Sequence, residues 1–356
     1  MSWFPVLLVV HISLAIALLA PSVVLPFLLR GSGSAAAARA NPLARLLLAM
    51  QAAVQPVELL DAVEAAYRDV AAGRDRSPLR THVALPSGDL LLMPGVREGA
   101  AGTSVKLVTV TPGNTARGLP TVQAVVAWLD GETGEPTALL DGGTLTRMRT
   151  GAASGVATRL LARHDSAVLG LLGAGGQAAW QLRAVLAARP SIEVVRVYSR
   201  TAASREAFAA EMAAELGGRV RVEAAASAEE AVRDTDVVCC ATTSSTPVFD
   251  PGWLAAGTHV NGVGAFRLGM VEIPPQAFAR AALVTVDSRE AALAEAGDLV
   301  AALEDGVLAA DAVEEIGTVP AAWAASREPE ALTVFKSVGL AIQDVAAAEL
   351  ILSRLA

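Results

Sequence analysis

A glycine-rich turn near the middle of the chain constrains the fold more than any other feature. The segment LLGAGGQAAWQ places Gly173, Gly175 and Ala178 at G-x-G-x-x-G/A spacing, directly after an apolar strand and before a helix. Gly173 permits the tight turn, Gly175 lets the backbone approach a pyrophosphate, and Ala178 permits close packing of helix on strand. Because a helix N-terminus attracts anions, the segment predicts a dinucleotide-binding unit.

Strand and helix patterns alternate from about residue 166 onward. Short apolar or β-branched runs separated by helical segments predict six strands, at residues 167–173, 194–199, 219–225, 236–242, 258–264 and 283–287. Strands that alternate with helices in this way are typical of a parallel sheet covered on both faces. The predicted fold class is therefore α/β, with a Rossmann-type doubly wound parallel sheet.

The part of the chain before this unit has a different pattern. A helix is predicted from Pro56 to Gly73, because its apolar residues recur at helical intervals. Short strand-like runs separated by PSG, TPGN and GETGEP then predict a largely antiparallel sheet, and so a smaller α+β domain. A helix over residues 144–162 leads out of this domain, and its small residues allow close packing against a neighbour.

These patterns divide the chain into four parts. Residues 1–50 are predicted to form an apolar extension and linker, 51–150 the smaller domain, 151–315 the dinucleotide-binding domain, and 316–356 a C-terminal helical segment. That last part contains TVFKSVGLAIQDVAAAELILSRL, which predicts a long amphipathic helix. We expect this helix to pack back on the first domain.

The N-terminal extension contains an apolar run, residues 3–29, that is long enough to cross a bilayer. Pro5, Pro21 and Pro26 weaken the helical interpretation of this run. Arg30 and further arginines follow it, and this charge bias would leave the rest of the chain on the cytoplasmic side. Two interpretations stay open: a membrane anchor on a cytoplasmic protein, or a non-native extension outside the fold.

Composition argues against several kinds of partner. With a formal net charge of −8, the chain has no basic footprint for nucleic acid. Cys239 and Cys240 are its only cysteines, and their place in an apolar run predicts buried strand residues rather than a disulfide. The four histidines are scattered without ligand-like spacing, so the sequence predicts no metal site.

Lysine is rare in this chain, which makes its positions informative. Lys106 and Lys336 are the only lysines among 28 lysines and arginines. An ammonium can give up its proton near neutral pH if its surroundings lower its pKa, whereas a guanidinium cannot. Lys106 is therefore a candidate for proton transfer, although a surface lysine fits the composition equally well. Arg80, at a strand start, and Arg149, in the following helix, could clamp a carboxylate or could be surface residues.

A dinucleotide-binding domain of this kind predicts a nicotinamide cofactor and hydride transfer. The second strand ends in VYSRT, without the acidic residue that would accept a ribose 2′-hydroxyl, and its arginine and hydroxyls suit a 2′-phosphate. NADPH is therefore predicted, with NADH as the alternative if Arg200 is a solvated loop residue. The predicted cofactor-binding residues are Gly173, Ala174, Gly175, Gly176, Gln177, Ser199, Arg200, Thr201, Thr242 and Val263.

Several stretches, taken in order, resemble the ornithine cyclodeaminase and mu-crystallin family. They include VKLVTVTPGN, GLLGAGGQA, GTHVNGVGA, EAGDL and VFKSVGLAIQD, and the resemblance runs from about residue 57 to 355. It implies that Arg80, Lys106 and Arg149 occupy the substrate positions, with Thr121 close to both ligands. It also implies that Lys106 is catalytic and handles the proton while hydride moves. A homodimer formed through the sheets of the smaller domain is implied as well.

One departure from the family pattern bears on the reaction. Members that carry out cyclodeamination have an aspartate two residues after the NxVG stretch, where this chain has Phe266. The expected function is therefore an NAD(P)H-dependent reductase of small cyclic ketimines, such as pyrroline- or piperideine-2-carboxylate, or a 2-oxo acid or amino acid dehydrogenase. Ornithine cyclodeaminase and a crystallin-like cofactor-binding protein with little catalysis stay open as alternatives, because Phe266 could simply fill core space.

Overall fold

Two sheets of different strand arrangement form the framework of the protein. The computed structural model describes residues 50–355. Its first sheet has six strands and its second has eight. The predicted fold class is confirmed: a Rossmann-type parallel sheet is combined with a smaller antiparallel domain. The apolar run at residues 3–29 lies outside the described residues, and no helix within the described part is long and apolar enough to span a bilayer.

The smaller domain opens with helix α1 (Pro56–Ala71), within two residues of its predicted end. Pro56 takes the first helical position, and Glu58 accepts a hydrogen bond from the Gln55 backbone, which closes a capping box. The antiparallel strands that follow are β1 (Asp75–Arg76), β2 (Thr81–Leu85), β3 (Gly88–Arg97), β4 (Gly102–Val110), β5 (Val122–Asp130) and β6 (Pro136–Asp141). They lie in the order β1-β3-β4-β5-β6, and β2 also pairs with β3.

Helix α2 (Gly142–Leu161) leads from the smaller domain to the parallel sheet. Asp141 caps it by accepting a hydrogen bond from the Thr144 backbone at 2.5 Å. The helix packs closely on α3 (Ala178–Ala188), as its small residues predict: a Cβ built on Gly151 would lie 2.4 Å from the carbonyl oxygen of Trp180.

The parallel sheet contains all six predicted strands and two more. Its order is β13-β12-β14-β11-β10-β7-β8-β9, and every neighbouring pair is parallel. The strands are β7 (Val168–Leu172), β8 (Val194–Tyr198), β9 (Arg221–Ala224), β10 (Val237–Cys240), β11 (His259–Gly262), β12 (Leu283–Val286), β13 (Val313–Glu315) and β14 (Thr333–Lys336). The intervening helices are α4 (Ala202–Leu216), α5 (Ala228–Val232), α6 (Pro275–Arg280), α7 (Arg289–Glu295), α8 (Gly297–Glu304) and α9 (Trp323–Ser326).

The prediction of one continuous helix at the C-terminus is wrong at its start. Residues 333–336 form β14, a fully buried strand between β11 and β12, and the helix α10 begins only at Ala341 and ends at Leu355. A short apolar run fits a buried strand as well as a buried helix, so periodicity could not separate the two. Helix α10 packs on β3, β4 and α1 of the smaller domain.

Candidate active site

The glycine-rich turn lies between β7 and α3, at the carboxyl edge of the parallel sheet. Gly173 has a φ of 111°, and a Cβ there would lie 2.5 Å from the carbonyl oxygen of Ala241. This position therefore requires glycine. A Cβ on Gly175 would meet no atom within 4 Å, so its backbone borders open space. These features fit the pyrophosphate of a dinucleotide above the N-terminus of α3.

The ends of three neighbouring strands surround this turn. The predicted cofactor residues Thr242 and Val263 follow β10 and β11, and Ser199, Arg200 and Thr201 follow β8. Ala174, Gly176 and Gln177 belong to the turn itself. The structure thus brings all ten predicted cofactor-binding residues to one edge of the sheet, where open α/β sheets bind their ligands.

A pair of arginines lies at the end of β8. Arg200 is exposed. The guanidinium of Arg205 donates a hydrogen bond to the Ser199 carbonyl at 3.0 Å and lies over the ring of Tyr198. The Ser199 hydroxyl donates to the Thr201 carbonyl at 3.1 Å. Sequence reasoning missed Arg205, although its position in the first turns of α4 places a second cation beside Arg200.

A cavity of about 90 Å³ lies between the two domains next to the turn. Three predicted substrate residues, Arg80, Lys106 and Arg149, line it together with the predicted cofactor residues Gln177 and Val263. The structure does not bring Thr121 to its lining: the Thr121 hydroxyl lies 3.2 Å from the hydroxyl of Thr115, and the next residue along the chain, Val122, lines the cavity instead.

Lys106 lies in the middle of β4, and its side chain is only 1% exposed. Its Nζ is 2.7 Å from Oδ2 of Asp344, on α10. Burial lowers the pKa of Lys106 to about 7, since Asp344 opposes this shift only in part and the positive charges of Arg149 and Arg80 add to it. An amine with a pKa near neutral can both donate and accept a proton at physiological pH.

Arg149 shares the carboxylate of Asp344 with Lys106. Its Nε lies 3.2 Å from Asp344 Oδ1, and its Nη1 donates to the side-chain oxygen of Gln343 at 3.2 Å. Gly339 makes this position possible, because a Cβ there would lie 2.3 Å from Arg149 Nη1. One buried carboxylate therefore orients two of the cations that line the cavity.

Arg80 holds the loop that follows β14. Its Nη2 lies 2.7 Å from the Val338 carbonyl, 2.8 Å from that of Gly339, and 2.8 Å from Oε2 of Glu295. Asp287, directly after β12, holds the same loop by accepting hydrogen bonds from the Val338 and Gly339 backbone at 3.0 and 2.6 Å. The three contacts of Arg80 all involve Nη2, so the guanidinium combines a structural role with its place in the cavity lining.

One part of the cavity lining is apolar. Phe266, which follows β11, packs against a buried cluster that includes Leu91 and Met93 on β3 and Val108 on β4. All four side chains line the cavity. A small ligand with one charged end and one apolar face would match this arrangement of cations and hydrocarbon.

A buried glutamate fixes the loops that carry Thr242 and Val263. The Glu272 carboxylate accepts backbone hydrogen bonds from Thr242 at 2.5 Å, Gly264 at 2.6 Å and Ala265 at 2.9 Å. Burial raises the pKa of Glu272, and the positive charge of Lys336 counteracts that shift. Glu272 thereby ties together the ends of β10 and β11 at the cofactor edge.

Sequence reasoning identified the cations of the site and missed their carboxylate partners. These are Glu295 beside Arg80, and Asp344 beside Lys106 and Arg149. Asp287, which holds the loop after β14, was missed as well. The second lysine, Lys336, likewise lies buried 3.3 Å from Oδ2 of Asp298. A signal was present, because Asp298 and Asp344 stand in the stretches EAGDL and VFKSVGLAIQD that carry the family resemblance. Within residues 50–355 no cluster of three or more histidine, cysteine, aspartate or glutamate side chains could hold a metal ion.

The turn and the cavity together have the features of a dinucleotide site. Two buried polar atoms beside the turn, Thr146 Oγ1 and Gln177 Oε1, have no hydrogen-bond partner in the described part of the chain. Such atoms are rare in folded proteins and are commonly satisfied by a ligand. The residues present therefore fit a nicotinamide dinucleotide whose pyrophosphate lies on the turn and whose reactive end reaches the cavity.

Comparison with proteins of known sequence supports this assignment. A Δ1-pyrroline-2-carboxylate reductase of Bacillus cereus is 42% identical over 288 residues, which are 80% of this chain and 87% of that protein. A solved Δ1-pyrroline-2-carboxylate reductase from Thermococcus litoralis, in complex with NADH and L-proline, is 37% identical with a TM-score of 0.80. The match covers 86% of this chain and 95% of that one.

A second solved relative is an archaeal alanine dehydrogenase dimer with bound NAD. It is 34% identical, has a TM-score of 0.76, and is matched over 86% of this chain and 93% of its own. The model of the ornithine cyclodeaminase/mu-crystallin family matches residues 43–356. This match covers all of the described residues and both sheets. The chain therefore belongs to the ornithine cyclodeaminase/mu-crystallin family.

Proposed function

We propose that this protein is an NAD(P)H-dependent reductase of small cyclic ketimine carboxylates, such as Δ1-pyrroline-2-carboxylate and Δ1-piperideine-2-carboxylate. The observation that carries the proposal is Lys106, a fully buried amine with a pKa of about 7 in a cavity beside the glycine-rich turn. The similarity of the chain to reductases of Δ1-pyrroline-2-carboxylate favours the same substrate class. The apolar wall formed with Phe266 suits the hydrocarbon part of a small ring.

In this proposal the charged side chains of the site bind the substrate carboxylate or take part in proton transfer. Arg149 and Arg80 attract the substrate carboxylate, whose negative charge offsets the excess of cations in the cavity. When bound, NADPH or NADH supplies a hydride to the imine carbon. Lys106 gives its proton to the imine nitrogen, so that the C=N bond becomes a CH–NH bond and the substrate becomes a cyclic amino acid. Asp344 orients Lys106 and stabilises its protonated form.

We propose NADPH as the preferred cofactor. No acidic side chain follows β8, where one would bind a ribose 2′-hydroxyl, and the sequence there is Ser199-Arg200-Thr201. Arg205, in the first turns of α4, adds a second guanidinium that donates to the Ser199 carbonyl of this loop. Two cations and two hydroxyls favour a 2′-phosphate over an unmodified ribose.

We also propose a homodimer that forms through the outer face of the antiparallel sheet. This face exposes Val83, Leu107 and Leu139, which are 42%, 41% and 45% exposed and lie on three different strands. Alternation along β4 turns Leu107 outward and Lys106 inward, so the apolar outer face lies directly behind the catalytic lysine. Apolar residues grouped on one exposed sheet face are typical of protein interfaces.

Ornithine cyclodeamination has less support from the residues present. Phe266 stands at the position where cyclodeaminating relatives have an aspartate. Its ring cannot accept a proton from a substrate amine. A 2-oxo acid aminating activity uses the same hydride and proton transfers, and the archaeal alanine dehydrogenase is similar over most of the chain. The choice among these reactions depends on which substrate the cavity accepts.

A substrate panel tests the proposal. NADPH and NADH consumption is measured with Δ1-pyrroline-2-carboxylate, Δ1-piperideine-2-carboxylate, and pyruvate plus ammonia, while ammonia release is measured from L-ornithine. We expect the highest kcat/KM with the two cyclic imines. Ornithine turnover without net cofactor consumption would replace the proposal by cyclodeamination, and tight cofactor binding without turnover of any substrate would indicate a binding protein.

A further inference from the structure

Arg147 is an arginine of helix α2 that the proposed reaction does not use. It lies two residues before Arg149 and is partly buried. Its Cδ is 3.9 Å from the position that a Cβ on Gly176 would occupy, so the side chain lies against the glycine-rich turn. Arg147 therefore approaches the turn from α2, whereas the turn itself leads into the N-terminus of α3.

The positive charge of Arg147 lacks a close counter-ion. Within the described residues its guanidinium makes one hydrogen bond, from Nη2 to the Thr144 hydroxyl at 2.8 Å, and it forms no salt bridge within 4 Å. Asp141, the nearest acidic neighbour along the chain, uses its carboxylate to cap α2 through the Thr144 backbone. Burial lowers the pKa of Arg147, and the negative charge of Asp141 opposes this shift only in part.

The space in front of Arg147 is open. A Cβ on Gly175 would meet nothing within 4 Å, and one on Gly176 would meet only Arg147 itself. A guanidinium without an ion-pair partner within 4 Å in the described residues, two glycines and a helix N-terminus thus border the same space. Guanidinium groups bind phosphate oxygens in bidentate geometry, which would supply the counter-charge that the protein does not.

We propose that Arg147 binds the pyrophosphate of the nicotinamide cofactor. This inference rests on the proposed use of such a cofactor. Because α2 starts directly after β6 of the smaller domain, the contact joins that domain to a cofactor held mainly by the parallel sheet. Arg147 then acts on a part that NADPH and NADH share, whereas Arg200 acts on the 2′-phosphate that only NADPH carries.

Nucleotide binding separates the two arginines without any measurement of turnover. Dissociation constants are measured by calorimetry for NADPH, NADH, ADP-ribose and adenosine 2′-phosphate, with the unmodified protein, Arg147→Ala and the matched control Arg200→Ala. We expect Arg147→Ala to weaken NADPH, NADH and ADP-ribose alike, by roughly 10- to 100-fold for a lost charge-assisted contact, and to leave adenosine 2′-phosphate unchanged. Arg200→Ala should show the reverse pattern, with losses only for NADPH and adenosine 2′-phosphate.

A second variant separates the loss of charge from a general loss of structure, and a salt series tests the charge directly. Arg147→Gln keeps most of the side chain and its contact with Thr144 but removes the charge, so it should show the same losses with an unchanged melting temperature. ADP-ribose binding should also depend less on ionic strength in both variants, because one screened charge pair is gone. Unchanged ADP-ribose affinity in a folded Arg147 variant would overturn this inference and leave the proposed function standing. Failure of the unmodified protein to bind any of the nucleotides would overturn the proposed function with it.

Discussion

Lys106 Nζ and Asp344 Oδ2 lie 2.7 Å apart, and both side chains are shielded from solvent. The lysine comes from the antiparallel sheet and the aspartate from the last helix of the chain, so the pair joins segments that are distant in sequence. The same carboxylate also contacts Arg149. Asp344 therefore positions the proposed proton donor and favours its protonated form.

Replacing Asp344 with Asn should lower the pKa of Lys106 below its value of about 7, because the aspartate is the main group that raises it. With less ammonium present at neutral pH, the rate of imine reduction should fall, and its pH profile should move toward acid. Steady-state kinetics from pH 5 to 9 would show this shift. Glu349→Gln, a change to another carboxylate of α10, is the control and should keep the unmodified profile; an unshifted profile for Asp344→Asn would contradict the role given to this aspartate.

The direction of the reaction decides the sign of its pH dependence. The ammonium form of Lys106 is present below about pH 7 and is lost as the pH rises above it. Reduction uses the ammonium as proton donor, so kcat for imine reduction should decline above about pH 7. Oxidation of the cyclic amino acid uses the neutral amine and should accelerate over the same range. Equal pH profiles in both directions would show that another group carries the proton.

The apolar wall should matter for substrate affinity more than for chemistry. Phe266→Ala removes the ring that packs on Leu91, Met93 and Val108, and the loss of this contact should raise KM for a cyclic imine by roughly 10- to 100-fold, or about 1–3 kcal/mol. The matched control is Leu268→Ala, because Leu268 lies two residues further on and is 58% exposed. Similar KM values for the two variants would mean that Phe266 only fills core space.

Cofactor preference should depend on the loop after β8. Arg200→Ala should weaken NADPH by about 1–3 kcal/mol and leave NADH nearly unchanged, because only NADPH carries the 2′-phosphate. The ratio of kcat/KM with NADPH to kcat/KM with NADH measures this change in preference directly. Arg219→Ala removes another exposed arginine of the same domain and should not change the ratio. An unmodified protein with equal preference for both cofactors would contradict the assignment of Arg200.

Local patterns were sufficient to predict the glycine-rich turn, the six alternating strands and the antiparallel sheet. They failed for β14, whose residues 333–336 are buried on all sides. In a central parallel strand both faces are covered, so no alternation remains to distinguish it from the buried side of a helix. Its place between β11 and β12 depends on pairing with strands distant in sequence, and no local signal encodes that pairing.

The same contrast holds within the site. Lys106 was predictable because it is one of only two lysines, and Arg80 and Arg149 because the family resemblance singled them out. Their ion-pair partners Glu295 and Asp344 come from other segments of the chain, as does Asp287, which holds the loop after β14. Acidic residues are common here, 36 in all, so composition gave no reason to choose these three.

The turnover of Lys106→Arg tests the central claim most directly. Arginine keeps the positive charge at this position but cannot give up a proton, so the rate of NADPH oxidation with Δ1-pyrroline-2-carboxylate should fall by about 10² to 10⁴. Arg149→Lys is the comparison, and it should mainly raise KM, because it weakens a carboxylate clamp. NADPH affinity and melting temperature, measured on each variant, exclude a general loss of structure. A folded Lys106→Arg protein that binds NADPH and reduces the imine at a near-normal rate would contradict the account.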